Sequence, residues 1–121
     1  MRTVLVVEDS LTDTEIISRH LQQAGFFVVC ARSSEEAQQK LEYKHPDLIL
    51  LDIILPGQSG FELCRELKSN PDTSKIPVVM FSTKNTDVDK MWGSMLGAND
   101  YLSKPVDRAE LLTTVQQLIK D

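Results

Sequence analysis

Glu8-Asp9, Asp52, Ser82 and Lys104 each stand at or just past the end of a short, largely apolar run. Two adjacent carboxylates, a third carboxylate, a hydroxyl and an ammonium have a defined chemistry if the chain brings them together. Three carboxylates at close range repel one another and raise their own pKa values unless a cation neutralises them. All-oxygen donors with room for water and phosphate oxygens suit Mg²⁺. A lysine beside them supplies positive charge to a phosphate oxygen, and a serine hydroxyl bonds another. Such a set serves phosphoryl transfer, which depends on in-line positioning and neutralisation of equatorial oxygens. Singly, each residue has a plainer reading. Glu8 and Asp9 cap a helix, Asp52 and Ser82 end strands, and Lys104 is a solvated lysine. Those readings account poorly for acids on two neighbouring strand ends.

The elements that would position these residues are legible. Asp47 to Gly57 carries Leu48-Ile49-Leu50-Leu51 straight into Asp52, with Pro56-Gly57 as a turn signal. An apolar run of this kind suits a strand covered on both faces, as in a parallel sheet. Thr3–Val7, Phe26–Ala31, Ile76–Phe81 and Asn99–Ser103 read as the other strands. Between them lie helices opened by caps at Thr12–Glu15, Ser33–Glu36, Ser59–Glu62, Thr86–Asp89 (the weaker one) and Asp107–Glu110. Gly25, His45-Pro46, Asn70-Pro71-Asp72 and Gly97 stop the first four. Helical spacing puts Ile17, Leu21 and Ala24, then Ala37 and Leu41, then Phe61, Cys64 and Leu67, on buried faces. The fourth helix carries Val88, Met91, Trp92, Met95 and Leu96, and the last buries Leu111, Val115 and Leu118.

Strands alternating with helices predict an α/β domain with a parallel sheet. In a doubly wound sheet, ligands bind beyond the strand C-termini where strand order reverses. For the order 2-1-3-4-5 that reversal lies between the strands ending in Glu8-Asp9 and in Asp52. The acidic cluster falls on the predicted site.

Composition narrows the partners. A chain of 121 residues, 41% apolar and 26% charged, is ordinary for one globular domain. Its formal charge of −5 argues against sequence-independent binding to nucleic acid or an anionic membrane. No apolar run approaches the ~20 residues of a membrane span, and Met1-Arg2-Thr3 leads directly into a strand. Cys30 and Cys64 lack metal-ligand spacing and read as buried, reduced thiols of a cytoplasmic protein.

With Glu8-Asp9, Asp52, Pro56-Gly57, Gly60, Ser82-Thr83, Gly97-Ala98, Tyr101 and Lys104-Pro105 in place, the chain resembles response-regulator receiver domains of two-component signalling. The resemblance covers essentially residues 1–121 and implies one flavodoxin-like (βα)5 domain, with no output domain following Leu118 to Asp121. It implies that Asp52 accepts a phosphoryl group from a histidine kinase or histidine phosphotransfer protein. Asp9 and Asp52 would bind Mg²⁺ directly, with the Ile54 carbonyl as a third ligand and Glu8 acting through water. Ser82 and Lys104 would hold phosphoryl oxygens, Tyr101 would turn inward as Ser82 moves, and the Lys104-Pro105 bond would be cis. No enzymatic activity is expected beyond self-catalysed phosphotransfer and autodephosphorylation. Output would be a protein contact on the face formed by the fourth helix, fifth strand and fifth helix, in a monomer or weak dimer. Ile54, Thr83 and Lys84 would restrict water's approach to the acyl phosphate and slow its hydrolysis.

Other classes fit less well. Aspartyl phosphatases of the haloacid-dehalogenase type carry a second Asp two residues after the nucleophile, where this chain has Ile54. A flavodoxin's first loop cradles a phosphate, which Glu8-Asp9 would repel. A degenerate receiver, binding partners without phosphorylation, usually lacks an acid or the lysine; here all are present. Lys84-Asn85 and Asp89-Lys90-Met91-Trp92-Gly93 are similar to the single-domain regulators of pilus-based twitching and phototaxis, with a generic chemotaxis-like regulator or relay intermediate as the other reading.

Overall fold

The short branched runs and the capped stretches between them form alternating strands and helices: β1 (Thr3–Val7), α1 (Leu11–Gln23), β2 (Phe27–Ala31), α2 (Ser34–Tyr43), β3 (Leu48–Asp52), α3 (Gly60–Ser69), β4 (Val78–Ser82), α4 (Asp87–Met95), β5 (Asp100–Ser103) and α5 (Arg108–Leu118). The structure, a computed structural model, describes residues 2–119. Met1, Lys120 and Asp121 lie outside the described residues, and with them the chain ends on which the expected direct entry into a strand and lack of an output module partly rest.

All strand pairs are parallel, in the order β2-β1-β3-β4-β5. This is the flavodoxin-like arrangement expected from the alternation of elements. Because successive strand residues point to opposite faces, each strand feeds two cores. Leu5, Val7, Ile49, Leu51, Val78 and Met80 pack with Ala37, Leu41, Leu63, Cys64 and Leu67 of α2 and α3. Val4, Val6, Leu48, Leu50, Val79 and Phe81 pack with Ile17, Leu21, Leu111 and Val115 of α1 and α5. Strands β1, β3 and β4 are buried along their whole length, as their unbroken apolar runs require.

Edge strand β2 is less covered than its sequence suggests. Phe27 is 53% exposed and Cys30 only half-buried, against the reading of both cysteines as core thiols. Cys64 is fully buried, and burial pushes its thiol up to about 11. Three strands also start later than expected, β5 at Asp100 rather than Asn99. Phe26 N–H still bonds Leu21 O at the end of α1 (3.0 Å). Pro77 has no N–H for the ladder, so β4 begins at Val78.

The first helix departs from its expected start. Its N-cap is Ser10, not Thr12, with Ser10 Oγ accepting from Asp13 N (3.3 Å). Chain leaving β1 turns at once, and this places Asp13 in the first turn, facing the strand ends. Ser33, Ser59, Thr86 and Asp107 cap the other helices as read. The reciprocal capping box closes at the cap read as weaker: Asp89 N donates to Thr86 Oγ1 (3.2 Å) and Thr86 N to Asp89 Oδ2 (3.1 Å). On α4, Val88, Met91, Trp92 and Met95 point outward, 72, 62, 47 and 69% exposed, while Asp89 and Gly93 are buried.

Candidate functional site

The β1, β3, β4 and β5 chain ends meet along one edge of the sheet. Lys104 N–H bonds Ser82 O (3.0 Å), extending the β4–β5 ladder by one step and carrying the lysine over the crevice. Gly60 sets the other wall. A Cβ there would lie 2.1 Å from Asp52 O, so only glycine lets α3 start this close to the end of β3. The Gly60 N–H donates to Ile53 O (2.9 Å) across that contact.

Glu8, Asp9 and Asp52 each present a carboxylate oxygen within 4.8 Å of the others. Glu8 and Asp52 are 1 and 4% exposed, whereas Asp9 faces solvent. Asp52 Oδ1 accepts from Ile54 N (3.1 Å), and Asp52 Oδ2 accepts from Lys104 Nζ (2.9 Å). Glu8 Oε2 accepts from Asp9 N (2.9 Å), and Glu8 Oε1 takes a short bond from Lys104 Nζ. Burial, then the hydrogen bond and charge of Asp52, push the Glu8 carboxyl up to about 8, although Lys104 pulls it back. Burial lowers the Lys104 ammonium, but bonds to Glu8, Asp52 and Asp13 outweigh it and hold the group above its ordinary range. The ammonium also lies 5.2 Å from the Phe81 ring centroid, a cation–π contact. The donor set is hard oxygen with one solvent-facing member, which fits Mg²⁺ better than a soft or nitrogen-seeking metal.

Ser82 is fully buried, and its Oγ accepts from Lys84 N (3.2 Å). Tyr101, half-buried, donates its phenol O–H to Lys84 O in a short bond. Burial, and then the charges of Asp89 and Asp52, push that phenol up to about 12, so it stays a donor. Gly93 leaves room for the ring: a Cβ there would meet Met80 Sδ at 2.9 Å and Tyr101 Cδ2 at 3.3 Å. The serine and the tyrosine therefore hold the same loop residue. The Lys104-Pro105 bond is cis, as expected.

Two residues differ from their sequence reading. Lys84, expected to be able to pair with a phosphoryl oxygen, has its ammonium on Asp89 Oδ1 (3.0 Å) of α4. Ile54 is 56% exposed, and its N–H bonds Asp52 Oδ1 (3.1 Å). Asp13, expected only as part of a cap, accepts from Lys104 Nζ at Oδ2 (3.0 Å). Its signal was available: an acid one helical turn after Asp9, on the helix that leaves β1.

A family model for the response regulator receiver domain matches residues 4–116. The chain is similar to protein PilH of Pseudomonas aeruginosa, 37% identical over 119 residues that make up 98% of each chain. Its fold is similar to a response regulator of Chloroflexus aurantiacus, at TM-score 0.94 and 36% identity over 98% of this chain and 97% of that one. It is likewise similar to chemotaxis protein CheY4 of Vibrio cholerae, at TM-score 0.91 and 31% identity over 98% of each chain. With the family model spanning both the acidic edge and Lys104, the chain belongs to the response regulator receiver domains.

Proposed function

We propose that Asp52 accepts a phosphoryl group from the histidine of a kinase or phosphotransfer protein, and that the protein acts as a stand-alone switch in a two-component relay. The observation that carries this reading is Lys104 Nζ held 2.9 Å from Asp52 Oδ2 at the edge where Glu8 and Asp9 converge. An Asp52 oxygen attacks phosphorus, the P–N bond to the imidazole breaks, and its electron pair returns to the ring nitrogen. The product is an acyl phosphate. Ile54 N–H and Lys104 orient the carboxylate before attack. Afterwards Lys104 transfers one N–H from Asp52 to a phosphoryl oxygen, and the Ser82 hydroxyl bonds a second. Mg²⁺, when bound by Asp9, Asp52 and the Ile54 carbonyl, with Glu8 acting through water, supplies the charge that neutralises those oxygens.

Phosphorylation adds roughly 1.5 to 2 negative charges at this edge. When Ser82 turns to the phosphoryl group, it gives up Lys84 N–H, and the loop that Tyr101 also holds is free to move. Output then passes through the face of α4, β5 and α5, where Val88, Met91, Trp92 and Met95 stand exposed. The 37% identity to PilH supports control of pilus-based motility as the pathway. The net charge of −5 supports protein partners rather than nucleic acid. No described helix is long and apolar enough to cross a membrane, and the switch is proposed to work in the cytoplasm as a monomer or weak dimer. Chemistry beyond self-phosphorylation and autodephosphorylation is not part of this reading.

The test is incubation with Mg²⁺ and acetyl phosphate or phosphoramidate. An acid-stable, base-labile label is expected, lost in Asp52→Ala and in EDTA. Full label in Asp52→Ala would move the acceptor elsewhere. No label in the wild type would favour a receiver that binds partners without phosphorylation.

A further inference from the structure

Lys104 has three N–H donors, and three carboxylates surround them. Glu8 Oε1 and Asp52 Oδ2 come from the strand ends, and Asp13 Oδ2 comes from the first turn of α1 at 3.0 Å. These partners are not equivalent. Glu8 and Asp52 belong to the converging acidic set, whereas Asp13 stands outside it. A cation or a phosphoryl group arriving at that set would compete for the first two bonds, whereas Asp13 is not a member of it. Asp13 is itself anchored, because its N–H donates to the Ser10 cap. Ile16, Ile17, Pro105 and Val106 wall a crevice of about 70 Å³ beside the pair. The Lys104 end of the pair is 13% exposed and the Asp13 end 39%, so the lysine side is the drier one.

We infer that Asp13 is a positioning residue for phosphoryl transfer: from α1 it holds the Lys104 ammonium in place while Asp52 and Glu8 change partners, so that one N–H stays aimed at the incoming phosphoryl oxygen. The inference rests on Asp52 being the phosphoacceptor. Its chemistry is specific to Asp13, since no other α1 side chain bonds Lys104 among the described residues. A competing view of the same contact is that Asp13 draws Lys104 away from the phosphoryl group. The two views give opposite signs on removal of Asp13.

The measurement uses the full chain with Mg²⁺, beryllofluoride as the phosphoryl stand-in and phosphoramidate as the donor. Asp13→Ala should bind beryllofluoride and label Asp52 about ten-fold less well, the scale of one charge-assisted bond. Asp13→Asn, which keeps an oxygen acceptor, should lose less. In a Lys104→Ala background, Asp13→Ala should have no further effect, because the acid acts only through the lysine. Equal or tighter binding in Asp13→Ala, or an undiminished loss in the Lys104→Ala background, overturns the inference. A second readout needs no phosphoryl group: the side-chain ammonium resonance of Lys104 in ¹⁵N-labelled protein should shift and broaden in Asp13→Ala. An unmoved resonance overturns the positioning role even if the wild type takes no label. A wild type without label, but with the resonance shifted in Asp13→Ala, overturns the phosphoacceptor reading and keeps the Lys104–Asp13 tether.

Discussion

Glu8 is the residue whose protonation most depends on the fold. Its carboxyl is raised from 4.5 to about 8, first by burial and then by Asp52. A carboxyl raised in this way binds a proton in the folded state that it would release on unfolding. Its contribution to stability is full below about 4.5 and is lost progressively as pH rises to about 8. Protein treated with a chelator should therefore lose stability between pH 5 and pH 9 in denaturant titrations. Glu8→Gln should flatten that dependence, and an unchanged slope would place the linkage elsewhere. The proton also competes with a cation for the acidic set. Mg²⁺ affinity is accordingly expected to rise with pH up to about 8, with proton release seen as buffer-dependent heat in calorimetry.

At the scale of elements, the β4–α4 loop is held at both ends. Ser82 Oγ takes Lys84 N–H, Tyr101 O–H reaches Lys84 O, and the Lys84 ammonium pairs with Asp89 in the first turn of α4. The Thr86 hydroxyl and then Lys84 hold the Asp89 carboxyl below its ordinary range. That contribution is present above pH 3.8 and lost as pH falls through the depressed value. Near neutrality the ion pair can be removed alone. Lys84→Ala leaves the backbone bonds to Ser82 and Tyr101 in place. Amide exchange at residue 84 and Thr86 should then speed up by about two- to five-fold, the scale of a partly exposed pair. Unchanged protection would mean that the backbone bonds alone close the loop.

At the scale of the whole molecule, this loop lies next to an outward face through Tyr101 and α4. Trp92 is the chain's one tryptophan and is 47% exposed on α4, beside Met91 and Met95. Tyr101 lies beneath the same helix against Gly93. If Ser82 turns to the phosphoryl group as proposed, beryllofluoride with Mg²⁺ should change Trp92 emission, because the bond from Lys84 N to Ser82 Oγ is lost as it turns. Tyr101→Ala should keep the labelling of Asp52 but lose most of that emission change. If the emission responds fully in Tyr101→Ala, the tyrosine is not the link between site and face.

Local pattern alone determined much of this protein. Alternation of apolar runs and capped helices sufficed for the parallel sheet, because strand covering and helix capping are properties of short segments. Glu8, Asp9, Asp52, Ser82 and Lys104 were legible as a set because each ends a strand, and parallel strands bring their ends to one edge. Tertiary structure decided what depends on side-chain reach. With Ser10 rather than Thr12 as the cap, Asp13 falls in the first turn of α1, where its carboxylate meets Lys104. Lys84 has a long flexible stem, and only the placement of α4 decides that its ammonium meets Asp89 rather than the mouth of the site. Exposure along β2 and α4 was likewise undecided by periodicity, since a helical or alternating stripe marks one face of an element without saying whether anything covers it.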